Sequence, residues 1–310
     1  MSLSIVIPVY NESENIKLFL NKVMPILKRI GVIYEIIFVL DPSRDNTEEL
    51  ILKEIEANKN IKLIKFSRRF GQPAALFAGI KNSTMENVIL IDVDLQDPPE
   101  LIEEMYKYRK EGYDTVLAKR SKKNGENFIR KIISNVGYYF ITMLSETKIP
   151  ANVGEFRLIS KRVINEIKKM EESDFFLRGA NSYIGFSQKI LLFERHSRKL
   201  GNTKYNKYTG SIKIGLNGIF SYSTKPLHFI TILSSLSFLF SSIIFILYLV
   251  LTFLDLFLFK YQFFIILLIL MVSSLIFFSQ GIMSEYLARI IIDIKKRPPY
   301  IIETKHNFDN

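Results

Sequence analysis

The sequence contains no cysteine and no tryptophan, and charge is absent from two long stretches near its carboxyl end. The lack of cysteine excludes disulfide bonds and thiolate metal sites. The uncharged stretches, 229–254 and 261–284, each exceed the roughly 20 apolar residues that cross about 30 Å of hydrocarbon. A buried core helix is the alternative, but two such runs in succession disfavour it. The short linker 255–260 therefore predicts an antiparallel hairpin of two transmembrane helices.

The first residues also predict no signal peptide, because they carry no basic segment and 4–9 has the pattern of a strand. We therefore expect roughly the first 220 residues to stay in the cytoplasm. Seven Lys or Arg and no acid lie between 195 and the first span, and Lys295, Lys296 and Arg297 follow the second. Positive residues at both outer ends predict an integral protein of the inner or plasma membrane with both termini cytoplasmic.

The net charge of +11 on its own fits a nucleic-acid partner as well as a membrane. The basic residues cluster beside the spans, where each adds about 1 kcal/mol of attraction to an anionic surface. We therefore expect membrane lipids or a lipid phosphate as the partner, and no nucleic acid.

Apolar runs alternate with helical spacing through the first half of the chain. This alternation predicts an α/β fold with a mainly parallel sheet and helices on both faces. The expected strands are 4–9, 35–40, 62–66, 88–91 and 115–118, and the expected helices are 13–30, 47–57, 73–82 and 99–111.

Polar side chains follow each of the first four strands, and ligands bind beyond the carboxyl ends of strands in sheets of this kind. We therefore expect these side chains to line one cleft. They are Tyr10 and Glu12 after the first strand, Asp41 after the second, Arg68 and Arg69 after the third, and Asp92 and Asp94 after the fourth.

An acidic cluster follows the fourth strand. Asp92 and Asp94 are two residues apart, so on an extended segment both carboxylates face one side and can share one ion. Mg²⁺ and Mn²⁺ prefer oxygen ligands and often take one or two carboxylates plus substrate phosphates. The alternative is that these acids cap the next helix. That interpretation is preferred for Asp97, since Asp97-Pro98-Pro99-Glu100 resembles an N-cap followed by proline in the first turn.

Three further residues have two interpretations each. Asp41 is a candidate acceptor for a base or ribose, or else a turn residue before the next helix. Arg68 and Arg69 are candidates for a diphosphate, because guanidinium binds phosphate in bidentate fashion, or else they are exposed surface charge.

Two later segments of the chain also carry charged candidate residues. Glu155 and Arg157 stand together in the sequence and form either a site or a structural ion pair. Lys204 lies in the acid-free stretch and either meets the acceptor phosphate or is ordinary membrane-adjacent charge.

These motifs, in this order, resemble the family 2 glycosyltransferases, most closely the polyprenyl-phosphate branch that includes dolichol-phosphate mannose synthases and bacterial bactoprenol glucosyltransferases. The likeness runs over nearly the whole chain and includes the turn at Asp41. The strings that carry it are SIVIPVYNE (4–12), FGQPAA (70–75), DVDLQDPPE (92–100), GEFRL (154–158) and GNTKY (201–205).

The resemblance implies an inverting transfer of a hexose from a nucleotide-diphosphate sugar to polyprenyl phosphate, in glycosylation of the cell envelope. It implies Mg²⁺ or Mn²⁺, and UDP-glucose is the expected donor, with GDP-mannose and UDP-N-acetylhexosamines open. Relatives of this kind include tetramers, so a homotetramer is one expected assembly. The implied domains are a cytoplasmic GT-A, Rossmann-like catalytic domain over 1–210, a juxtamembrane amphipathic helix over 211–225, two transmembrane helices over 226–288 and a cytoplasmic basic tail over 289–310.

The resemblance also assigns roles to residues. It implies that Pro8, Tyr10, Glu12 and Asp41 bind the nucleoside. It also implies that Asp92, Asp94 and Gln96 bind the metal and the diphosphate, and that Arg68 contacts the donor. Arg157 and Lys204 face phosphate groups, and the catalytic set is Asp94, Glu155 and Arg157.

Three positions depart from the family pattern. The turn that usually reads Asp-Asp-Gly-Ser is Leu40-Asp41-Pro42-Ser43, and both Asn152 and Glu155 stand where Asp is usual. Losing a base need not stop the chemistry, because a phosphate monoester has a second pKa of about 6 and is already charged near neutrality.

Two other functions compete with this one. A processive polysaccharide synthase would carry a Gln-x-x-Arg-Trp motif and more spans, but the chain has no tryptophan. A catalytically silent membrane scaffold is suggested by the three departures, whereas the complete acidic cluster argues for an enzyme.

Overall fold

The structure is a computed structural model that describes residues 1–121, 150, 153–170, 176–194, 223–254 and 261–308. Several sequence-based expectations fall outside these ranges. They are the linker 255–260, nearly all of the juxtamembrane helix at 211–225, and the two residues Asn152 and Lys204.

Strands and helices alternate in the first 120 residues, as the apolar pattern predicts. The observed bounds differ from the expected ones by no more than two residues. The elements are β1 Leu3–Val9, α1 Ser13–Ile30, β2 Tyr34–Leu40, α2 Thr47–Ala57, β3 Ile61–Phe66, α3 Gln72–Asn82, β4 Asn87–Leu90, α4 Leu101–Lys110 and β5 Thr115–Arg120.

The remaining described elements include two strands that the sequence pattern did not separate from their surroundings. These are β6, which carries the GEFRL string, and β8 near the carboxyl end. In order, the elements are β6 Val153–Ser160, α5 Lys161–Lys169, α6 Leu177–Ile184, β7 Gln188–Phe193, α7 Lys225–Phe253, α8 Tyr261–Ile294 and β8 Ile302–His306.

All eight strands form one sheet in the order β7-β5-β6-β4-β1-β2-β3-β8. The first five strands and β7 run in one direction, while β6 and β8 run against their neighbours. The expected mainly parallel sheet is confirmed. The segment 289–310, expected as a tail beyond the catalytic domain, differs from that expectation because it supplies β8 to the domain's own sheet.

The core lies on both faces of the sheet because neighbouring strand residues point to opposite sides. Ile5 and Ile7 of β1 pack with α1, α2 and α4 on one face. Val6, between them, packs with α3, α5 and α6 on the other face. Every one of these three side chains is fully buried. Helices therefore cover both faces, as the sequence predicts.

Helix α3 approaches β1 so closely that any side chain at position 79 would collide with the strand. A Cβ atom on Gly79 would lie 2.1 Å from Cγ1 of Val6, far inside van der Waals contact. This contact sets the depth at which α3, and the loop before it, sit on the sheet.

The two long helices near the carboxyl end are apolar enough to cross a bilayer. The spans Lys225–Leu247 and Met271–Ile294 have mean hydropathies of 2.3 and 1.4, with 6% and 0% of their residues buried in the protein. Such exposure disfavours the core-helix alternative. Tyr286 Oη, near the end of α8, donates to the Ser223 carbonyl 2.7 Å away, just before α7, so the outer ends of the two helices lie together.

The Gly79 contact generates a stability prediction. The substitution Gly79→Ala forces its new methyl group into Val6, and overpacking of this kind costs about 1–3 kcal/mol. We expect a lower thermal unfolding midpoint for the detergent-solubilised protein, followed by circular dichroism. Gly281→Ala is the control, since nothing lies within 4 Å of the added atom. Equal midpoints for the two variants would contradict the close packing of α3 on β1.

Candidate active site

The carboxyl ends of four neighbouring parallel strands meet at one edge of the sheet. Val9 at the end of β1 pairs with Leu40 at the end of β2, which in turn pairs with Lys65 of β3. On the other side of β1, Val6 pairs with Leu90, the last residue of β4. The loops that carry the candidate residues therefore start from the same edge, as expected from the sequence.

The loops after β1 and β2 are fastened to each other by Asn11. Its backbone adopts φ +51°, a left-handed conformation that asparagine tolerates better than most residues. Its side-chain Oδ1 accepts from the Arg44 N–H at 2.8 Å, while its own N–H donates to Ser43 Oγ at 2.9 Å. The expected nucleoside residues Pro8 and Tyr10, both half-buried, come directly before this junction.

Asp45 makes a second link between the same loops. Its carboxylate accepts from the N–H of Ser13 at 3.1 Å and from the N–H of Thr47 at 3.2 Å. Although burial opposes ionisation, the hydrogen bonds from Thr47 and Ser13 outweigh it and lower the pKa of Asp45. Glu12 donates its N–H to Thr47 Oγ1 and accepts from Asn15 Nδ2 at 2.6 Å. Asp45 is therefore a structural residue that fastens the start of α1 to the start of α2.

Asp41 joins the end of β2 to the loop that precedes α3. The side chain is 4% exposed, and its two oxygens accept from the N–H groups of Phe70 at 2.9 Å and Gly71 at 3.0 Å. Burial raises the pKa of Asp41, and the two N–H donors and Arg69 oppose that rise. The sequence offered a nucleoside contact or a local turn, whereas the structure adds a long-range anchor for the segment 67–71, here called the donor loop.

The donor loop places two guanidinium groups on aromatic rings. Arg69 lies over the ring of Tyr10 at 4.1 Å, and Arg68 lies over the ring of Phe70 at 4.0 Å. Both arginines are exposed. The family resemblance assigns the donor contact to Arg68, but it is Arg69 that lies against a predicted nucleoside residue, Tyr10.

The acidic cluster follows β4 in a turn rather than in an extended segment. Strand β4 ends at Leu90, and residues 93–94 turn. The argument from strand alternation was therefore wrong, although the turn still brings Asp92 and Asp94 together. Asp94 is 7% exposed and accepts the Gln96 N–H at 3.2 Å, and Leu95 between them adopts φ +56°.

Asp92 lies among several like charges. Burial raises the pKa of Asp92, the charges of Asp94, Asp97 and Glu155 add to the rise, and Arg120 opposes it, so that the pKa is about 7. Its Oδ1 accepts from Gln72 Nε2 at 2.7 Å. A divalent cation would offset this concentrated negative charge, so these residues fit such an ion. Within the described ranges no group of three or more acidic or histidine side chains is placed to hold a metal ion.

Asp97 does not cap the next helix. Helix α4 begins at Leu101, two residues later than expected, and Glu100 stands at its N-cap position. Asp97 is instead buried, with Oδ1 3.7 Å from Nη2 of Arg120 in β5. The capping interpretation was wrong because the helix begins at Leu101, four residues after Asp97.

Strand β6 brings Glu155 and Arg157 to the acidic cluster. Arg157 is 1% exposed, and burial lowers its pKa to about 10, so it stays charged at neutrality. Its Nη2 donates to the Gly154 carbonyl at 2.7 Å and lies 3.3 Å from Glu155 Oε2. The other oxygen of Glu155 accepts from Nε of Arg178, in α6, at 2.7 Å. Both oxygens of Glu155 are therefore held by guanidinium groups.

Three residues of this site were missed from the sequence: Gln72, Arg120 and Arg178. Each contacts the acidic residues from an element that is distant along the chain. Gly154 makes room for Arg120, since a Cβ there would lie 3.2 Å from Arg120 Nη2. Gln72 lies within the FGQPAA string, but neither Arg120 nor Arg178 carries a local signal, because a single arginine at the end of a strand or the start of a helix is common.

Comparisons with known proteins agree with this geometry. The family model for Glycosyl transferase family 2 matches residues 4–168. An uncharacterized glycosyltransferase of Synechocystis sp. is 37% identical over 303 residues, or 97% of this chain and 95% of its own. The bactoprenol glucosyl transferase of Shigella phage SfII is 34% identical over 314 residues, or 99% of both chains.

A solved structure has the same fold. It is glucosyl-3-phosphoglycerate synthase from Mycobacterium tuberculosis, in complex with Mn²⁺, UDP-glucose and phosphoglyceric acid. The TM-score is 0.50 at 14% identity, covering 71% of this chain and 79% of the synthase. The predicted GT-A type of fold is confirmed.

The anchoring role of Asp41 can be tested without measuring activity. In Asp41→Asn the side chain keeps one acceptor oxygen, so one buried N–H of the donor loop loses its partner, at a cost of about 1–3 kcal/mol. We expect faster amide hydrogen exchange at Phe70 and Gly71. The matched control Asp45→Asn should instead speed exchange at Ser13 and Thr47. Unchanged exchange of the donor loop in Asp41→Asn would refute the anchor.

Proposed function

The chain belongs to glycosyl transferase family 2, and on that premise we propose that it transfers a hexose from a nucleotide-diphosphate sugar to a polyprenyl phosphate at a membrane surface. The relatives named bactoprenol glucosyl transferase support transfer to a polyprenyl phosphate carrier. The two apolar helices support a membrane site for a lipid-linked acceptor. Reaction on the cytoplasmic face, with both termini on that side, follows from the placement of basic residues.

One observation carries the proposal. The crowded carboxylates of Asp92 and Asp94 stand at the carboxyl edge of β4, next to the buried cation Arg157 on the adjacent strand β6. The concentrated negative charge suits a metal ion with its bound diphosphate, and the buried positive charge beside it suits the acceptor phosphate.

The donor would lie along the loops after β1, β2 and β3. The nucleoside is assigned to Pro8, Tyr10, Glu12 and Asp41, and the diphosphate end to Asp92, Asp94 and Gln96. Arg69, as well as Arg68, is available to the donor phosphates because both guanidinium groups are exposed. UDP-glucose is the proposed donor.

Asp92 and Asp94 would hold Mg²⁺ or Mn²⁺, and the bound ion would neutralise charge on the departing diphosphate. Gln72 orients Asp92 through its amide, and the Gln96 N–H orients Asp94. These hydrogen bonds fix both carboxylates before the donor binds, so the side chains need not reorient during the reaction.

The acceptor phosphate would meet Arg157, with Lys204 as a second cation. Its oxygen attacks the anomeric carbon on the face opposite the diphosphate, so one C–O bond forms as the bond to the diphosphate breaks. The bonding electrons leave with the diphosphate, and a single displacement inverts the anomeric configuration. Since the phosphate monoester is already anionic, alignment matters more than a base.

Glu155 fits an orienting role better than that of a base. Both of its oxygens accept from guanidinium groups, one from Arg157 and one from Arg178. The pair of arginines is thereby held at a fixed spacing beside the acidic cluster. A homotetramer remains the proposed assembly by family resemblance.

The donor and the metal role can be tested together. We expect purified protein with polyprenyl phosphate and Mn²⁺ to transfer one labelled hexose from UDP-glucose. Asp94→Asn should lower the rate by at least about 100-fold, the scale for losing one preorganised charged group. The control Asp114→Asn alters a buried aspartate at the opposite edge of the sheet and should retain activity.

The outcomes separate the competing functions. Full transfer by Asp94→Asn would contradict the metal assignment. Multiple added sugars would indicate a processive synthase, and absence of metal-dependent nucleotide binding by calorimetry would indicate a silent scaffold.

The orienting role of Glu155 predicts an effect at Arg178. Arg178→Ala frees one oxygen of Glu155, so the spacing of Arg157 loosens and kcat should fall roughly 10- to 100-fold, as misplaced catalytic groups do. Arg162→Ala removes an arginine that is paired with Asp114 and 66% exposed, and should be nearly neutral. If Arg178→Ala kept the wild-type kcat, the orienting role would be excluded. Arg178→Lys should recover only part of the rate, because lysine lacks the planar fork.

A further inference from the structure

The chain returns to the catalytic sheet after its second apolar helix. Strand β8 pairs antiparallel with β3, matching His306 with Leu63 and Ile302 with Phe66. Just before the strand, the Ile301 carbonyl accepts the N–H of Ser67 at 3.1 Å. Ser67 is the first residue of the donor loop, so the returning segment reaches the edge of the candidate donor site.

Tyr300 packs into an aromatic group beneath the donor loop. Its ring stacks on Phe66, with centroids 5.3 Å apart and planes 19° apart, and meets the edge of Phe77 at 6.3 Å. Phe66 in turn contacts Phe70 edge-on at 5.5 Å. Aromatic pairs in these geometries add stabilisation beyond the area they bury.

The aromatic group connects to the acidic cluster through the donor loop. Phe70 and Gly71 donate their N–H groups to Asp41, and the next residue, Gln72, donates to Asp92 at 2.7 Å. Gly71 adopts φ +89° and turns the chain into α3. A shift of Phe70 would therefore move both the nucleoside side and the metal side of the site.

The same segment is tied to the membrane anchor over a short length of chain. Helix α8 ends at Ile294, and Tyr300 follows six residues later, a reach of at most roughly 20 Å. Pro298 and Pro299 lie within this connection and restrict its backbone. The donor loop thus rests on a residue held between the anchor and the sheet.

From this arrangement we infer that Tyr300 is a positioning residue for donor binding. Its ring packs on Phe66, which contacts Phe70, and through these two rings it sets the donor loop and Gln72 against Asp92. The inference rests on the proposed function, in that the ligand of the loop is a metal-bound nucleoside diphosphate.

A purely protective role for β8 makes a different prediction. An added strand also covers the edge of β3, and edges left open invite unwanted pairing. In that case, losing either aromatic residue that flanks β8 would have the same effect. Phe308, at the far end, packs under Lys62 and Lys305, with ammonium-to-centroid distances of 5.1 and 5.6 Å. It lies next to the start of β3, away from the donor loop.

The test compares Tyr300→Ala with Phe308→Ala in the full-length protein. The probes are UDP and GDP, each with Mn²⁺, measured by calorimetry, together with KM and kcat for transfer. We expect Tyr300→Ala to weaken nucleotide affinity and raise the donor KM about 3- to 30-fold, the span of such indirect couplings, with kcat little changed. Tyr300→Phe keeps the ring and should bind as the wild type does. Phe308→Ala should bind normally even if its thermal stability is lower.

Other results overturn the inference. Wild-type nucleotide affinity in Tyr300→Ala would show that Tyr300 does not position the donor loop. Equal weakening of nucleotide affinity in Phe308→Ala would show that β8 only covers the edge of the sheet. If Tyr300→Ala does not fold, Tyr300→Leu keeps apolar volume without the stacking ring and must show the same direction of effect. If the wild-type protein binds neither nucleotide, the proposed function fails, and the inference fails with it.

Discussion

The crowding of carboxylates after β4 is the constraint on which the rest of the site depends. Asp92 is surrounded by other acids and raised in pKa to about 7, so the fold must supply compensating groups from several directions. Gln72 donates from α3, Arg120 approaches from β5, and Arg157 lies buried on β6. Burying a charge is costly unless it is paired, which explains why cations and donors collect here rather than elsewhere on the sheet edge.

Long-range hydrogen bonds join the loops after β1, β2 and β3 into one rigid rim around the candidate site. Asn11 and Asp45 fasten the loop after β1 to the loop after β2, and Asp41 fastens the latter to the donor loop. Each of these side chains bonds backbone N–H groups, which otherwise would need water or ligand as partners. A rim held in this way is ordered before a donor arrives, so less conformational freedom is lost on binding.

The two apolar helices would hold the candidate site at the bilayer surface, where the proposed reaction takes place. A sugar nucleotide is soluble, whereas a polyprenyl phosphate is confined to the bilayer, so the two can meet only at the surface. Exposed apolar residues along α7 and α8 fit the lipid, and β8 returns from α8 to the sheet beside the donor loop. The anchor and the donor site are therefore joined through the fold as well as through the linear chain.

The apolar pattern by itself determined the alternating strands and helices, the mainly parallel sheet and the two long membrane helices, because periodicity and run length are local properties. It also located Asp92, Asp94 and Asp41, since polar residues after buried strands must meet at one edge. Only the tertiary structure decided the partners of Glu155 and Asp97, the place of β8 and the turn at Asp94. Arg178 and Arg120 reach the site, and Tyr300 reaches Phe66 beside the donor loop, from elements far apart in sequence. Such contacts depend on packing that no local pattern encodes.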